Sequence, residues 1–167
     1  MDKRFLVEQL AEQLRASAAV ARKAGQSAAQ EARDGATPAE KRDDARVALE
    51  QGALAKGQAE RAARVAAELT TLDVFHPVRL PPAAAVELGA VVEVEIELDE
   101  GGTQGRTFFL APVGAGIELT GPGGDGFLSV VTPQSPIGRA VLGRRVGDTV
   151  EVTVQNEVRA WTITFVG

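Results

Sequence analysis

Thr132-Pro133-Gln134-Ser135-Pro136-Ile137-Gly138-Arg139-Ala140-Val141-Leu142-Gly143-Arg144-Arg145-Val146-Gly147-Asp148-Thr149-Val150-Glu151-Val152 is the stretch on which the reading of this chain turns. Its punctuation is that of one short helix set between strands. Ser135 suits an N-cap, because its hydroxyl can accept an orphan amide of the first turn. Pro136 suits the first helical position, where no amide is needed. Gly143 suits the left-handed residue that stops a helix, and Gly147-Asp148 suits a turn. Val150 and Val152 then alternate with Glu151, which predicts a strand over residues 149–154.

Upstream, residues 91–99 set Val92, Val94, Ile96 and Leu98 against Glu93, Glu95, Glu97 and Asp99. Such alternation predicts a strand with one wet face. Residues 107–113, 127–132 and 160–166 are further strands, with loops at Gly101-Gly102 and at residues 121–126. The second loop is Gly-rich, but it lacks the Lys-Ser/Thr ending of a phosphate-cradling loop and leads into no helix. Trp161, Phe108, Phe109, Phe127 and Phe165 read as core of this β domain. Single-strand binders interleave such aromatics with basic residues, which are sparse here.

Before residue 73 the period changes. Leu6, Leu10, Leu14, Ala18, Ala21, Gly25, Ala28 and Ala32 recur at helical spacing, and Ala45, Ala48, Gly52, Ala55, Ala59, Ala62, Ala66 and Leu69 step by three and four. The second run is the seam of a coiled coil, and its small residues let backbones approach closely. Between the runs, Gly35 suits a helix stop, while Thr37, Pro38 and Glu40 suit N-cap, first helical residue and capping-box partner. A short connection implies antiparallel neighbours. The expected fold class is α+β: a long antiparallel helical hairpin over residues 1–72, a linker over 73–85 containing Pro77, Pro81 and Pro82, and a mostly antiparallel β domain with one short helix over 86–167.

Composition removes several chemistries. There is no Cys, so disulfides, thiolate metal sites and cysteine nucleophiles are excluded. His76 is the single histidine, which excludes a multi-histidine metal site; between Phe75 and Pro77 it reads as a surface or packing residue. No signal peptide and no apolar run of membrane length is visible, so a soluble cytoplasmic protein is expected. Residues 1–72 carry 12 Lys/Arg and 11 Asp/Glu; residues 73–167 carry 6 and 12. Neither half shows the basic excess of a duplex binder, which favours a protein partner.

The segment quoted first resembles the C-terminal signature of Gre-type transcription elongation and transcript-cleavage factors (GreA/GreB): Ser-Pro-Ile-Gly-(Arg/Lys)-Ala-Leu-(Leu/Ile)-Gly, then Gly-Asp and a Val-rich strand. Leu88-Gly89-Ala90-Val91-Val92 is similar to the opening of that family's first C-terminal strand. The resemblance is carried by motif in residues 86–166 and by architecture in residues 2–72. It implies an FKBP-like C-terminal domain that docks at the rim of the RNA polymerase secondary channel, and a hairpin whose tip reaches the polymerase Mg²⁺. On this resemblance the docking residues are Ser135, Pro136, Ile137, Arg139 and Arg144. The tip carboxylates are Glu40 and Asp43, with Asp44 beside them. Arg139, Arg144 and Arg145 otherwise read as a solvated helix face, and the tip acids as helix-start electrostatics.

The resemblance also implies the partners: bacterial RNA polymerase, with nascent RNA met only indirectly, no membrane, and a monomeric state. No cofactor or metal of its own is expected; Mg²⁺ would be shared with the polymerase, whose ions can stabilise both attacking and leaving oxygens. The chain would then be an accessory factor rather than an enzyme. The tip departs from the family's Gly-Asp-Leu-x-Glu-Asn-Ala-Glu-Tyr. Here Gly35 is followed by Ala36, Lys41 and Arg42 lie between the acids, and Asp44 stands at the Tyr position. A non-cleaving inhibitor or modulator of polymerase is therefore the alternative. A prolyl isomerase, which would need an aromatic-lined pocket, and a structural coiled-coil dimer are the remaining readings.

Overall fold

The structure is a computed structural model that describes residues 3–34, 43–81, 83–98, 101–121, 124, 126–154 and 157–167, the backbone alone at 32–34, 43–45 and 154. Its elements are α1 (Arg4–Asp34), α2 (Asp43–Asp73), β1 (Val91–Glu97), β2 (Thr103–Leu110), β3 (Glu118–Thr120), β4 (Phe127–Val131), α3 (Pro136–Val141), β5 (Thr149–Val154) and β6 (Glu157–Val166). The chain packs as two units, one of residues 12–70 and one of residues 3–11 with 71–167.

In the helical unit, α1 buries Leu14, Ala18, Ala21 and Ala28, the stripe expected from its spacing. Gly25 lies on that stripe, where a Cβ would come within 3.2 Å of Gln58 Cβ on α2. Arg61 donates to Ser17 Oγ at 3.4 Å. Contacts thus fall along α2 as they rise along α1, so the pair is antiparallel. On α2 the inward face differs from expectation. Ala48, Gln51, Ala55, Gln58, Ala62, Val65 and Leu69 face in, while Gly52, Ala59 and Ala66 are exposed. Both stripes step by three and four and share Ala48, Ala55, Ala62 and Leu69. The one adopted buries Val65, which removes more apolar area from water than Ala66 would. The expected caps at Gly35, Thr37, Pro38 and Glu40 lie outside the described residues.

The other unit is built on a six-stranded sheet in the order β3-β4-β2-β1-β6-β5. Four of its pairs are antiparallel and one, β2 with β4, is parallel. β1 buries Val92, Val94 and Ile96 and exposes Glu93, Glu95 and Glu97, as the alternation predicts. Strand ends moved where pairing or proline decided them. β2 stops before Pro112, which has no amide to give a ladder. It starts at Thr103 because Thr103 pairs with Glu97. β6 starts at Glu157 because it pairs with the whole of β5. The three-residue β3 carries no alternation long enough to be read from sequence.

The main core lies on the sheet face that meets α3. It joins Val92, Val94, Ile96, Phe108, Val131, Val141, Val152, Trp161 and Ile163. Phe108 and Trp161 stack with centroids 5.6 Å apart. Phe109 and Val130, partners in the parallel register, alternate away from this cluster and are equally buried. The aromatic expectation fails at Phe127, which is 75% exposed, and only partly holds at Phe165, at 38%. Phe127 is the first residue of β4 and Phe165 the next to last of β6.

The first turns of α1 anchor in this unit. Leu6 and Leu10 are wholly buried there, each contributing about 1.5–3 kcal/mol. Gln9 Nε2 donates to the Thr120 carbonyl at 3.1 Å, and the Thr120 amide donates to Gln9 Oε1 at 3.0 Å. One side chain thereby occupies the free edge of β3 as a paired strand would. Lys3 Nζ, almost fully buried, donates to the Gly167 carbonyl at 3.1 Å. Burial pushes its pKa down, and the charge of Glu87 works against that shift.

Candidate functional site

The segment 132–148 is held by its own hydrogen bonds. Ser135 takes an extended conformation (φ −69°, ψ 154°) as the N-cap of α3. Its Oγ accepts from the Gly138 amide at 3.0 Å and donates to the Thr132 carbonyl at 2.8 Å. Pro136 follows at the first helical position, as expected. Gly138 is fixed by crowding: a Cβ there would lie 1.9 Å from the Thr132 oxygen. The loop therefore folds back against the helix so closely that only glycine fits.

The far end is equally tied. Leu142 is the C-cap and Gly143 follows at φ +77°, the left-handed stop expected for it. The Gly143 amide donates to the Val86 carbonyl at 2.8 Å, and the Val86 amide donates to the Arg144 carbonyl at 2.7 Å. Asp148 Oδ2 accepts the Arg145 amide at 2.9 Å and closes the turn into β5. Val141 and Gly138 face the core, with Ile137 and Ala140 half-buried against it.

What this leaves outside is a firm surface. Pro136, Arg139, Arg144 and Arg145 are exposed, as are Leu142 (43%) and Val146 (48%). Three of the six basic residues of 73–167 fall within 139–145. No carboxylate among the described residues forms a salt bridge with their guanidinium groups. A local positive charge with apolar residues beside it is an interface composition, since Arg and apolar anchors concentrate there. The structure brings Ser135, Pro136, Ile137, Arg139 and Arg144 together within one loop and helix. Leu142 and Val146 were not read as part of that surface; one caps a six-residue helix and the other lies in the turn after it, where periodicity has little to count.

The expected tip residues are a different case. Glu40 lies outside the described residues. Asp43 and Asp44 open α2, and only their backbone is described. Among the described residues there is no group of three His, Asp or Glu able to hold a metal ion, and no helix long and apolar enough to cross a membrane. His76 is exposed and lines a cavity of ≈560 Å³ with Arg4, Glu8, Asp73 and Phe75.

A second concavity was not anticipated. It measures ≈210 Å³ and is lined by Ile96, Val152 and Trp161 together with Ile137 of α3 and the polar Gln104 and Arg106 of β2. Trp161 is 3% exposed, and its Nε1 has no acceptor among the described residues. Such an orphan donor costs about 1–3 kcal/mol. Sequence offered no signal for it, since Trp161 reads as core and is core.

The model of the C-terminal region of transcription elongation factors GreA/GreB matches residues 81–167, more than half of the chain and all of the surface just described. The transcription elongation factor GreA of Mycobacteroides abscessus is 38% identical over 77 residues, 46% of this chain. The match spans 42% of that relative, less than half its length. Among solved structures, the GreA factor homolog 1 (Gfh1) of Thermus thermophilus aligns over 94% of both chains at 20% identity and a TM-score of 0.37. A GreA/GreB factor of Nitrosomonas europaea aligns over 63% of this chain and 78% of its own at 21% identity and 0.36. Superpositions this loose add nothing to the assignment. A pair of long helices followed by a mixed sheet carrying a capped, glycine-locked α3 defines the class, and the family match makes it specific. The chain belongs to the GreA/GreB family of transcription elongation factors.

Proposed function

We propose that this chain acts on RNA polymerase as an accessory factor: the surface around α3 docks on the enzyme, and the connection between α1 and α2 is carried toward the polymerase active site. The observation that supports docking is the α3 segment held by its own hydrogen bonds, with Arg139 and Arg144 in no salt bridge among the described residues and beside exposed apolar residues, lying inside the family match. Charge of that kind mainly speeds encounter with an acidic partner. Glu40 and Asp43 are the carboxylates offered to the Mg²⁺ that the polymerase itself holds; hard divalent ions take oxygen ligands. The chain supplies ligands and position, and the bond is cleaved in the polymerase.

A second reading, a docking factor that does not stimulate cleavage, is favoured by Lys41 and Arg42 between the acids and by the absence of an acid after Gly35. Both readings meet in one experiment. Polymerase is stalled in a backtracked complex in Mg²⁺ buffer, the chain is added, and transcript length is followed. Shortening that vanishes in the Glu40→Ala, Asp43→Ala double variant establishes cleavage through the tip. No shortening, with displacement of a known secondary-channel factor, establishes the non-cleaving regulator. Failure to bind polymerase at all overturns both.

A further inference from the structure

We propose that the ≈560 Å³ cavity formed by the first turns of α1, the last turn of α2 and the chain just after it is a binding site for a small organic cation, an ammonium group on an apolar body. All of its lining belongs to the unit of residues 3–11 and 71–167. The volume lies within the roughly 300–1,000 Å³ of small-molecule pockets. Val7, Leu72, Phe75 and Pro77 give the cavity an apolar side; Leu72 is buried and the other three are half-buried. An apolar body seated there removes that surface from water, which is favourable in proportion to the area covered.

The polar lining selects the sign of the occupant. Glu8 and Asp73 share the cavity with Arg4, two carboxylates against one guanidinium. Neither carboxylate forms a salt bridge among the described residues. Asp73 is the last residue of α2, and no basic residue stands in that last turn. A helix ends in carbonyls that have no partner within it, and the negative end of its dipole lies there. An acid at this end is unfavourable by itself, and a cation is the group that the end favours. Phe75 adds an aromatic ring to the lining, and ammonium groups are attracted to aromatic faces. An anion would meet a net negative lining, and a neutral apolar molecule would leave both carboxylates without a partner. The inference does not rest on docking to polymerase.

His76 lines this cavity and is the single histidine of the chain, so its imidazole ring protons give unique signals that report on the site. The full chain is titrated at about pH 8, where an ordinary imidazole is uncharged, with three probes of similar shape: 2-phenylethylammonium, 2-phenylethanol and phenylacetate. The ammonium is expected to move the His76 signals saturably in the millimolar range, the alcohol to bind about tenfold more weakly, and the carboxylate to leave them in place. Asp73→Asn should weaken binding of the ammonium about threefold, and the Glu8→Gln, Asp73→Asn double variant about tenfold. Both residues are exposed and both changes keep the side-chain shape, so the variants keep the fold, which an unchanged signal from the indole of the single Trp161 verifies. The proposal is overturned when the ammonium leaves the His76 signals unmoved, when the alcohol or the carboxylate binds as tightly, or when the folded double variant binds the ammonium undiminished.

Discussion

Replacing Gly138 by alanine should unfold the sheet unit far more easily than a one-methyl change in a helix normally does. In an open helix interior the change is favourable by about 0.5–1 kcal/mol, because alanine loses less backbone freedom. At position 138 the new Cβ lies 1.9 Å from the Thr132 oxygen and 2.7 Å from its carbon, both backbone atoms. To reach even a 3.0 Å contact, the loop must retreat by roughly 1 Å. That motion stretches the Ser135 Oγ bond to the Thr132 carbonyl and its bond from the Gly138 amide. Overpacking of this kind costs about 1–3 kcal/mol, and each lost bond about 0.5–1.5. Set against the helix gain, the expected net loss is roughly 2–4 kcal/mol. Urea unfolding followed by the fluorescence of the buried Trp161 measures it directly. With a slope of about 2 kcal/mol/M, the midpoint should fall by about 1–2 M at unchanged slope. Gly52→Ala is the control, because nothing lies within 4 Å of a Cβ there. It should stabilise the helical unit by up to about 1 kcal/mol, read by far-ultraviolet circular dichroism. A Gly138→Ala midpoint equal to or above the parent's would refute the steric account of this glycine.

Ser135→Ala removes the cap but adds no clash, so it should cost only about 1 kcal/mol in the same urea assay. Gly114→Ala meets a φ of +83° and Leu10 Cδ1 at 2.6 Å, but that neighbour is a side-chain tip able to turn, so about 1–2 kcal/mol is expected, mostly from the backbone. For Lys3, the folded pKa lies below the unfolded one, so between the two the unfolded chain binds more protons. Stability should therefore rise with pH as it climbs from the folded value toward about 10.4, and thermal melts of Lys3→Met should lack that rise. Arg139→Glu with Arg144→Glu should slow association with RNA polymerase, most strongly at low salt, in a stopped-flow or surface-binding measurement; an unchanged rate would separate these arginines from docking.

Much of the candidate site was legible because it is written in local chemistry. Ser135, Pro136 and Gly143 take the positions their side chains dictate, and each role is completed within a few residues. The glutamates of β1 face water for the same reason: alternation along a strand is a property of its pleat. Phe127 shows where this fails. Its type favours burial, yet it is the first residue of β4 and is left 75% exposed. The pocket at Trp161 was illegible for another reason. Its lining comes from β1, β2, α3, β5 and β6, and no spacing along the chain announces that they meet.

The sequence by itself determined two long helices, alternating strands, one capped short helix and the residues that begin and end it, because capping, turn formation and periodicity act within a few residues. Tertiary structure alone decided the rest. It set β2 parallel to β4 and β6 beside β1, pairings that depend on closing long loops. It chose between two equally spaced stripes on α2 by burying Val65 in place of Ala66. It folded the loop before α3 so tightly that Gly138 became obligatory. It drew residues 3–11 into the sheet unit, where Gln9 closes the β3 edge across 111 residues of chain. Each of these is a contest between distant surfaces for burial and for hydrogen-bond partners, and its outcome exists only once those surfaces are brought together.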